Sequence, residues 1–213
     1  GTVLWGSKAE LHARVRVEGL EHWRNMGGRP VILLAPHFVG LDMGGVRLGT
    51  DYRLSSVYSR QKNATVEKIL IRGRMRFGHG EMYARQDGIR PMIKSLKSGV
   101  PFYYLPDMDL GARDSVFAPF FGVSAATITG LSRIAQLAGA AIVPCVTRQL
   151  PGGGYTVTMY PAWDGFPSGD LEADARRMNA FIEERVREMP EQYYWLHKRF
   201  KTRPAGERNP YES

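Results

Sequence analysis

Residues Val31–Gly45 read VILLAPHFVGLDMGG. Val31 to Ala35 are apolar without alternation, the pattern of a strand buried on both faces of a sheet. Pro36 ends the run, because it holds Ala35 extended and has no N–H to give to a ladder. Residues 39–48 then read as helical. Two titratable side chains sit at this junction, His37 and, five residues on, Asp42. In a regular helix, positions five apart point about 140° away from each other. His37 and Asp42 therefore meet only if His37 lies in the entry loop and Asp42 in or near the first turn, with Gly40 relaxing the bend. In that arrangement Asp42 accepts a hydrogen bond from one ring nitrogen of His37 and fixes its tautomer. The other nitrogen is left to take a proton from a hydroxyl. A second reading of the same pair is a carboxylate near a helix N-terminus beside an incidental histidine.

Outward from this stretch, strand and helix patterns alternate. ARVRVEG (13–19), RLSSVYS (53–59), VPFYYL (100–105), AAIVPCVT (140–147) and YTVTMY (155–160) read as strands. LEHWRNM (20–26), Asn63–Phe77, Asp87–Lys97, Thr127–Leu137 and the segment 169–189 read as helices, the last with Leu171, Ala175, Met178, Ile182 and Met189 on one stripe. Residues 106–126 carry Pro, Gly and Asp in number and read as a long loop. Buried strands alternating with helices predict a single α/β domain with a mostly parallel sheet. Ligands in such domains sit beyond the carboxyl ends of the strands, where His37 falls.

Composition bounds the function. The chain has 213 residues and a formal net charge of +8, which favours an anionic partner. No apolar run reaches the ~18 residues that cross a bilayer. Cys145 is the only cysteine, so an intrachain disulfide is excluded, and its apolar context marks it as a core residue. The chain contains no G-x-S-x-G elbow, no paired-cysteine metal site, no H-E-x-x-H and no phosphate-binding P-loop. A protein nucleophile is thereby disfavoured, and the attacking group is expected from the substrate. No helix-turn-helix, zinc-finger or RNP-like pattern accompanies the positive charge, so nucleic acid is not expected as a partner.

HFVGLD (37–42) resembles the H-x4-D/E motif of the glycerolipid acyltransferases. PDMDLGARDSVFAPFFG (106–122), AAIVPCVTR (140–148) and PEQYYWLHKRFKTRP (190–204) resemble the late acyltransferases of lipid A biosynthesis, the lauroyl/myristoyl family, and the likeness runs from about Val15 to Pro204. The resemblance implies a glycerol-3-phosphate acyltransferase-like sandwich of strands and helices at the cytoplasmic face of a bacterial inner membrane. It implies an enzyme that moves a fatty acyl chain from acyl-acyl carrier protein to the 3-hydroxyl of an acyl chain on a phosphorylated glucosamine-based lipid, without metal or cofactor. His37 would be the base and Asp42 its partner. Members usually begin with a membrane-anchoring helix, which is expected to lie outside this chain. Two positions depart from the pattern: Pro36 stands where many members have Asn, and the arginine after the second strand falls one place late, at Arg60. Arg60 is nonetheless the candidate for gripping a phosphate or sugar.

Asp107 and Asp109 match the family's P-D-x-D block. Asp107 is expected to shape the site by holding an arginine, and one of the two to fix its loop. Arg85 and Arg113 are further candidates for binding substrate. Phe117, Phe120 and Phe121 are candidates for the core or for an acyl-chain wall. The helix bearing Arg72, Arg74 and Arg76 is expected to meet an anionic membrane surface. The alternatives are an acyltransferase acting on a lysophospholipid or aminoacyl lipid, and a non-catalytic lipid-binding protein of the membrane surface.

Overall fold

The computed structural model describes residues 1–78 and 80–212. The chain opens with two short helices, α1 (Thr2–Trp5) and α2 (Lys8–Arg14), then strand β1 (Val15–Glu18) and helix α3 (Glu21–Arg24). Ser7 and Glu10 cap α2 reciprocally, satisfying two amides that the helix leaves unpaired. Next come β2 (Val31–Leu34), α4 (Leu41–Leu48), β3 (Leu54–Tyr58), α5 (Ala64–Met75), β4 (Gly80–Ala84), α6 (Arg90–Lys97) and β5 (Phe102–Tyr104). The remainder is β6 (Ser115–Phe120), β7 (Val123–Ile128), α7 (Gly130–Ala138), β8 (Ala141–Leu150), β9 (Gly154–Met159) and α8 (Leu171–Glu188).

Seven strands form one sheet in the order β1-β9-β8-β2-β5-β3-β4, with β8–β9 its one antiparallel pairing. The unbroken apolar run of β2 has its explanation in two cores. Val31 and Leu33 enter a cluster with Tyr103, Val143 and Cys145 beneath α2 and α4. Ile32 and Leu34 enter another with Phe102, Ile142 and residues of α6, α7 and α8. Burial pushes the Cys145 thiol pKa up to about 12, so it stays protonated as a core group. Ala175, Met178 and Ile182 of α8 are buried, as their spacing predicts. Gly44 lets α4 lie against β8: a methyl group there would overlap the Thr147 hydroxyl.

The expected loop at 106–126 is corrected by the structure. Its second half is an antiparallel hairpin, β6–β7, turned by Phe121 and Gly122 at φ 50° and 75°. Both turn residues are left-handed, as a two-residue hairpin loop requires. A phenylalanine in the first position hides that signal in the sequence. Pro119 also argues against a strand, but this small sheet has two strands only, and an edge tolerates proline. Asn179 of α8 ties the hairpin down by donating to the Pro119 carbonyl and to Thr127. Under the same hairpin lies Arg199, only 2% exposed, which donates to the Ala126 carbonyl, Thr127 Oγ1 and Asn179 Oδ1.

Candidate active site

Adjacent parallel strands bring the site together by register. Leu34 of β2 is paired with Tyr104 of β5. Each strand leaves the sheet through a proline, Pro36 and Pro106, and three residues beyond the paired positions stand His37 and Asp107. The Asp107 carboxylate, 2% exposed, accepts from His37 Nδ1 at 2.7 Å and from the His37 backbone N–H at 3.0 Å. The Tyr193 hydroxyl donates to the same carboxylate at 3.1 Å. The segment carrying Tyr193 runs antiparallel beside the His37 loop, bridged at Phe38 and Tyr193. The Tyr194 N–H donates to the His37 carbonyl, so the histidine is held by both backbone and side chain.

The electrostatics follow from these contacts. Burial pulls the His37 pKa down, but the Asp107 charge and hydrogen bond, with a smaller push from Asp42, outweigh it and leave the pKa raised. Burial pushes Asp107 up, and the charge and hydrogen bonds of His37 outweigh that, holding the carboxyl below its ordinary value. With Nδ1 committed to Asp107, Nε2 is the ring nitrogen left free, and His37 lines a deep cleft.

The expected hydrogen bond from His37 to Asp42 is not the one that forms. Asp42 lies in the first turn of α4 and accepts from Arg74 of α5 at 3.0 Å. The physical reason is helical direction: once Leu41 begins the helix, position 42 points at α5, while the imidazole is drawn to a deeper, drier carboxylate. Asp107, likewise, does not hold an arginine but holds His37 and Tyr193. Asp109 does fix its loop: one oxygen accepts from the Gly111 N–H, and its two oxygens take the Thr202 hydroxyl and N–H. The Asp109 N–H donates to His197 Nε2, which makes His197 a structural acceptor.

The cleft has a volume of about 1210 Å³ and runs between α4, α5, the strands β3 and β4, the carboxyl end of β5 and the start of α7. His37, Asp42 and Arg74 stand on its wall, and Leu70, Met75 and Ile134 make much of the rest apolar. Arg85 and Arg113 also face it. Arg60 does not line it and pairs instead with Asp87 at the surface. Phe117, Phe120 and Phe121 are likewise outside its lining: Phe120 belongs to the core and Phe121 packs on it. The three arginines expected to face a membrane diverge. Arg74 turns to Asp42, and Arg76 donates to the backbone carbonyls of Thr2, Val3, Gly6 and Gly73, which leaves Arg72 exposed. Tyr193 was given no role by sequence reasoning, and its chemistry becomes visible only when the chain folds back beside His37.

The fold, a mostly parallel sheet with a histidine beyond the carboxyl end of β2 and above a cleft, has a solved counterpart in an acyltransferase. The crystal structure of the 1-acyl-sn-glycerophosphate acyltransferase of Thermotoga maritima matches at a TM-score of 0.50 and 21% identity, over 85% of this chain and 75% of that one. The chain belongs to the bacterial lipid A biosynthesis acyltransferases, whose family model matches residues 1–202. It is similar to the lipid A biosynthesis lauroyltransferase of Escherichia coli K12, at 40% identity over 89% of this chain and 63% of that protein. A lipid A biosynthesis acyltransferase of Haemophilus influenzae is 38% identical over 97% of this chain and 65% of its own length. The E. coli lipid A biosynthesis myristoyltransferase is 34% identical over 95% and 64%. The chain therefore spans a little under two thirds of the length of these relatives.

Proposed function

We propose that this chain transfers a fatty acyl group from acyl-acyl carrier protein to the 3-hydroxyl of an acyl chain on a phosphorylated glucosamine lipid, with His37 as general base. The observation that carries this reading is an imidazole fixed at Nδ1 by a buried carboxylate and presented from a largely apolar cleft. His37 Nε2 takes the acceptor hydroxyl proton as that oxygen attacks the thioester carbonyl carbon. The tetrahedral intermediate collapses with cleavage of the carbon–sulfur bond, and the departing thiolate receives the proton from the imidazolium. Asp107 replaces Asp42 as the partner that holds the ring and stabilises its charged form. Arg74, placed by Asp42 on the cleft wall, supplies a cation for the developing oxyanion.

The setting agrees with a lipid surface. No helix of the described residues is long and apolar enough to cross a membrane. Val39, Tyr194 and Leu196, on the paired segments beside His37, are 56%, 43% and 85% exposed. Together with the net charge of +8, they suit the cytoplasmic face of an anionic inner membrane.

The test is incubation with acyl carrier proteins loaded with several chain lengths and the tetra-acylated precursor, with products read by mass. A single added acyl chain is expected, absent with His37→Ala, which keeps its fold and acceptor affinity. Acceptor binding by the native chain without any product would instead mark a lipid-binding protein. Product on a lysophospholipid alone would move the acceptor class. A second expectation concerns Asp42→Asn and Arg74→Gln. Because the two act as one pair, they should lower kcat by similar factors, and the double variant should lose no more than the worse single. Additive losses would separate their roles.

A further inference from the structure

Tyr193 does not line the cleft, yet its hydroxyl touches the carboxylate that holds His37. Among the described residues, the Asp107 side chain takes hydrogen bonds from two residues, His37 and Tyr193. Its two oxygens are used unequally. Oδ1 receives His37 Nδ1, while Oδ2 receives the His37 backbone N–H and the Tyr193 hydroxyl. Two of these three bonds come from the residue being steered. Tyr193 supplies the third, which holds the carboxylate from outside the pair.

The phenol is itself fixed without help from Asp107. The Val39 N–H donates to the Gln192 carbonyl at 2.8 Å, and the Tyr194 N–H donates to the His37 carbonyl at 2.9 Å. The Gln192 side chain accepts from the Gln149 N–H and donates to the Gln149 carbonyl, which ties the segment to β8. The Trp195 indole N–H donates to the Pro190 carbonyl. The buried Tyr193 ring packs edge-on against Phe38 and Trp195. Successive side chains of an extended segment point to opposite sides, so Tyr193 enters the core while Tyr194 lines the cleft. Burial first, and then the Asp107 charge, push the Tyr193 pKa well above its ordinary value, so the hydroxyl remains a donor throughout the working pH range.

We propose that Tyr193 is a positioning residue of the acyl transfer: its anchored hydroxyl holds Asp107 Oδ2 so that Oδ1 stays aimed at His37 Nδ1. The inference rests on the reading of His37 as the base, but the hold itself exists without turnover. The bond has a second consequence. A donated O–H stabilises the carboxylate charge and weakens its attraction for the imidazole proton. Removing that O–H leaves the Asp107 charge less shared, and His37 then keeps its proton to higher pH. The other charged and titratable groups around the pair are Asp42 of α4, its partner Arg74 of α5, and His197 and Arg199 of the C-terminal segment. Tyr193→Phe alters none of these and keeps the packed ring, so a displaced titration belongs to the lost bond.

The experiment follows the His37 imidazole by NMR across pH in the whole chain without substrate, and the pH profile of acyl transfer in parallel. The His37 resonances are assigned by their loss in His37→Ala. In Tyr193→Phe, the His37 titration and the acidic limb of kcat/KM are both expected to move to higher pH. The plateau of kcat should fall by about tenfold with KM for the acceptor unchanged, the scale of one hydrogen bond to a charged group. Added to Asp107→Asn, the same replacement should neither move the titration nor lower the rate further, because the group it acts through is gone. Thermal unfolding of each variant verifies that the fold is kept. Replacing Tyr193 by a fluorotyrosine keeps the ring and strengthens the donor, and should move the His37 titration to lower pH even if Tyr193→Phe does not fold. An unmoved titration in the folded variants, or equal losses in the native and Asp107→Asn backgrounds, overturns the positioning role. A chain without acyl transfer whose His37 titration still shifts would retire the catalytic reading and keep the hold on Asp107.

Discussion

Asp107→Asn is expected to lower the turnover of acyl transfer by about 10²–10⁴-fold while leaving acceptor affinity nearly intact. The carboxylate fixes the ring through Nδ1, and in the proposed mechanism it also offsets the charge that the ring gains on accepting a proton. An amide at 107 can present its N–H to Nδ1 and invert the tautomer, which removes the acceptor lone pair from Nε2. The pH profile separates this role from a structural one. A general base works when neutral, so kcat/KM rises with pH through the His37 pKa. With Asp107 present that pKa lies above the ordinary 6.5, and the acidic limb of the profile should too. With Asn, burial remains and the attraction is gone, so the limb should move to lower pH as the plateau falls. A variant with the native limb and the native rate would show that the imidazole does not act through Asp107.

The second large effect is on stability. Arg199→Leu is expected to cost about 3–5 kcal/mol, because it removes a buried cation within electrostatic reach of two buried carboxylates and takes a donor from the Ala126 carbonyl, Thr127 and Asn179. Arg199 lies within electrostatic reach of both Asp107 and Asp109 and over the Phe120 ring at 5.3 Å. Its bonds to Ala126, Thr127 and Asn179 join the C-terminal segment to the hairpin and to α8. Arg199→Lys should restore little, since one ammonium cannot span acceptors arranged for a planar fork. Chemical denaturation of native and variant chains measures the loss directly. A change below about 1 kcal/mol would mean that Asp107 and Asp109 need no such counter-charge.

The sheet was legible because its central strands are apolar at every position, and a strand buried on two faces leaves no other pattern. Val31–Leu34, Phe102–Tyr104 and the first half of β8 are of this kind. The edge strand β4, GEMYA, is half-buried and short, and it was not foreseen. Asn63–Phe77 reads as an amphipathic helix with Val66, Ile69, Leu70, Gly73 and Phe77 on one face, but that face divides: Leu70 and Phe77 line the cleft, Gly73 is buried against Leu4, and Val66 and Ile69 remain 44% exposed. His37 was found from its place after β2. Its partner was not, because the bond to Asp107 spans 70 residues and depends on which strand neighbours which. One signal was present: APH and LPD leave their strands by the same count, and that coincidence becomes a contact only once β2 and β5 are known to be adjacent.

That shared count limits how such a protein can diversify. His37 and Asp107 are both numbered off from one rung of the ladder, Leu34 against Tyr104, so lengthening either connection by a single residue would separate them. Apart from Arg74, which is tied to Asp42, the walls that α5 and α7 supply are under no such restriction, since neither helix contributes to the His37–Asp107 pair. Evolution, or a protein engineer, is free to reshape the rest of those walls for a different cargo while the His37–Asp107 corner stays fixed.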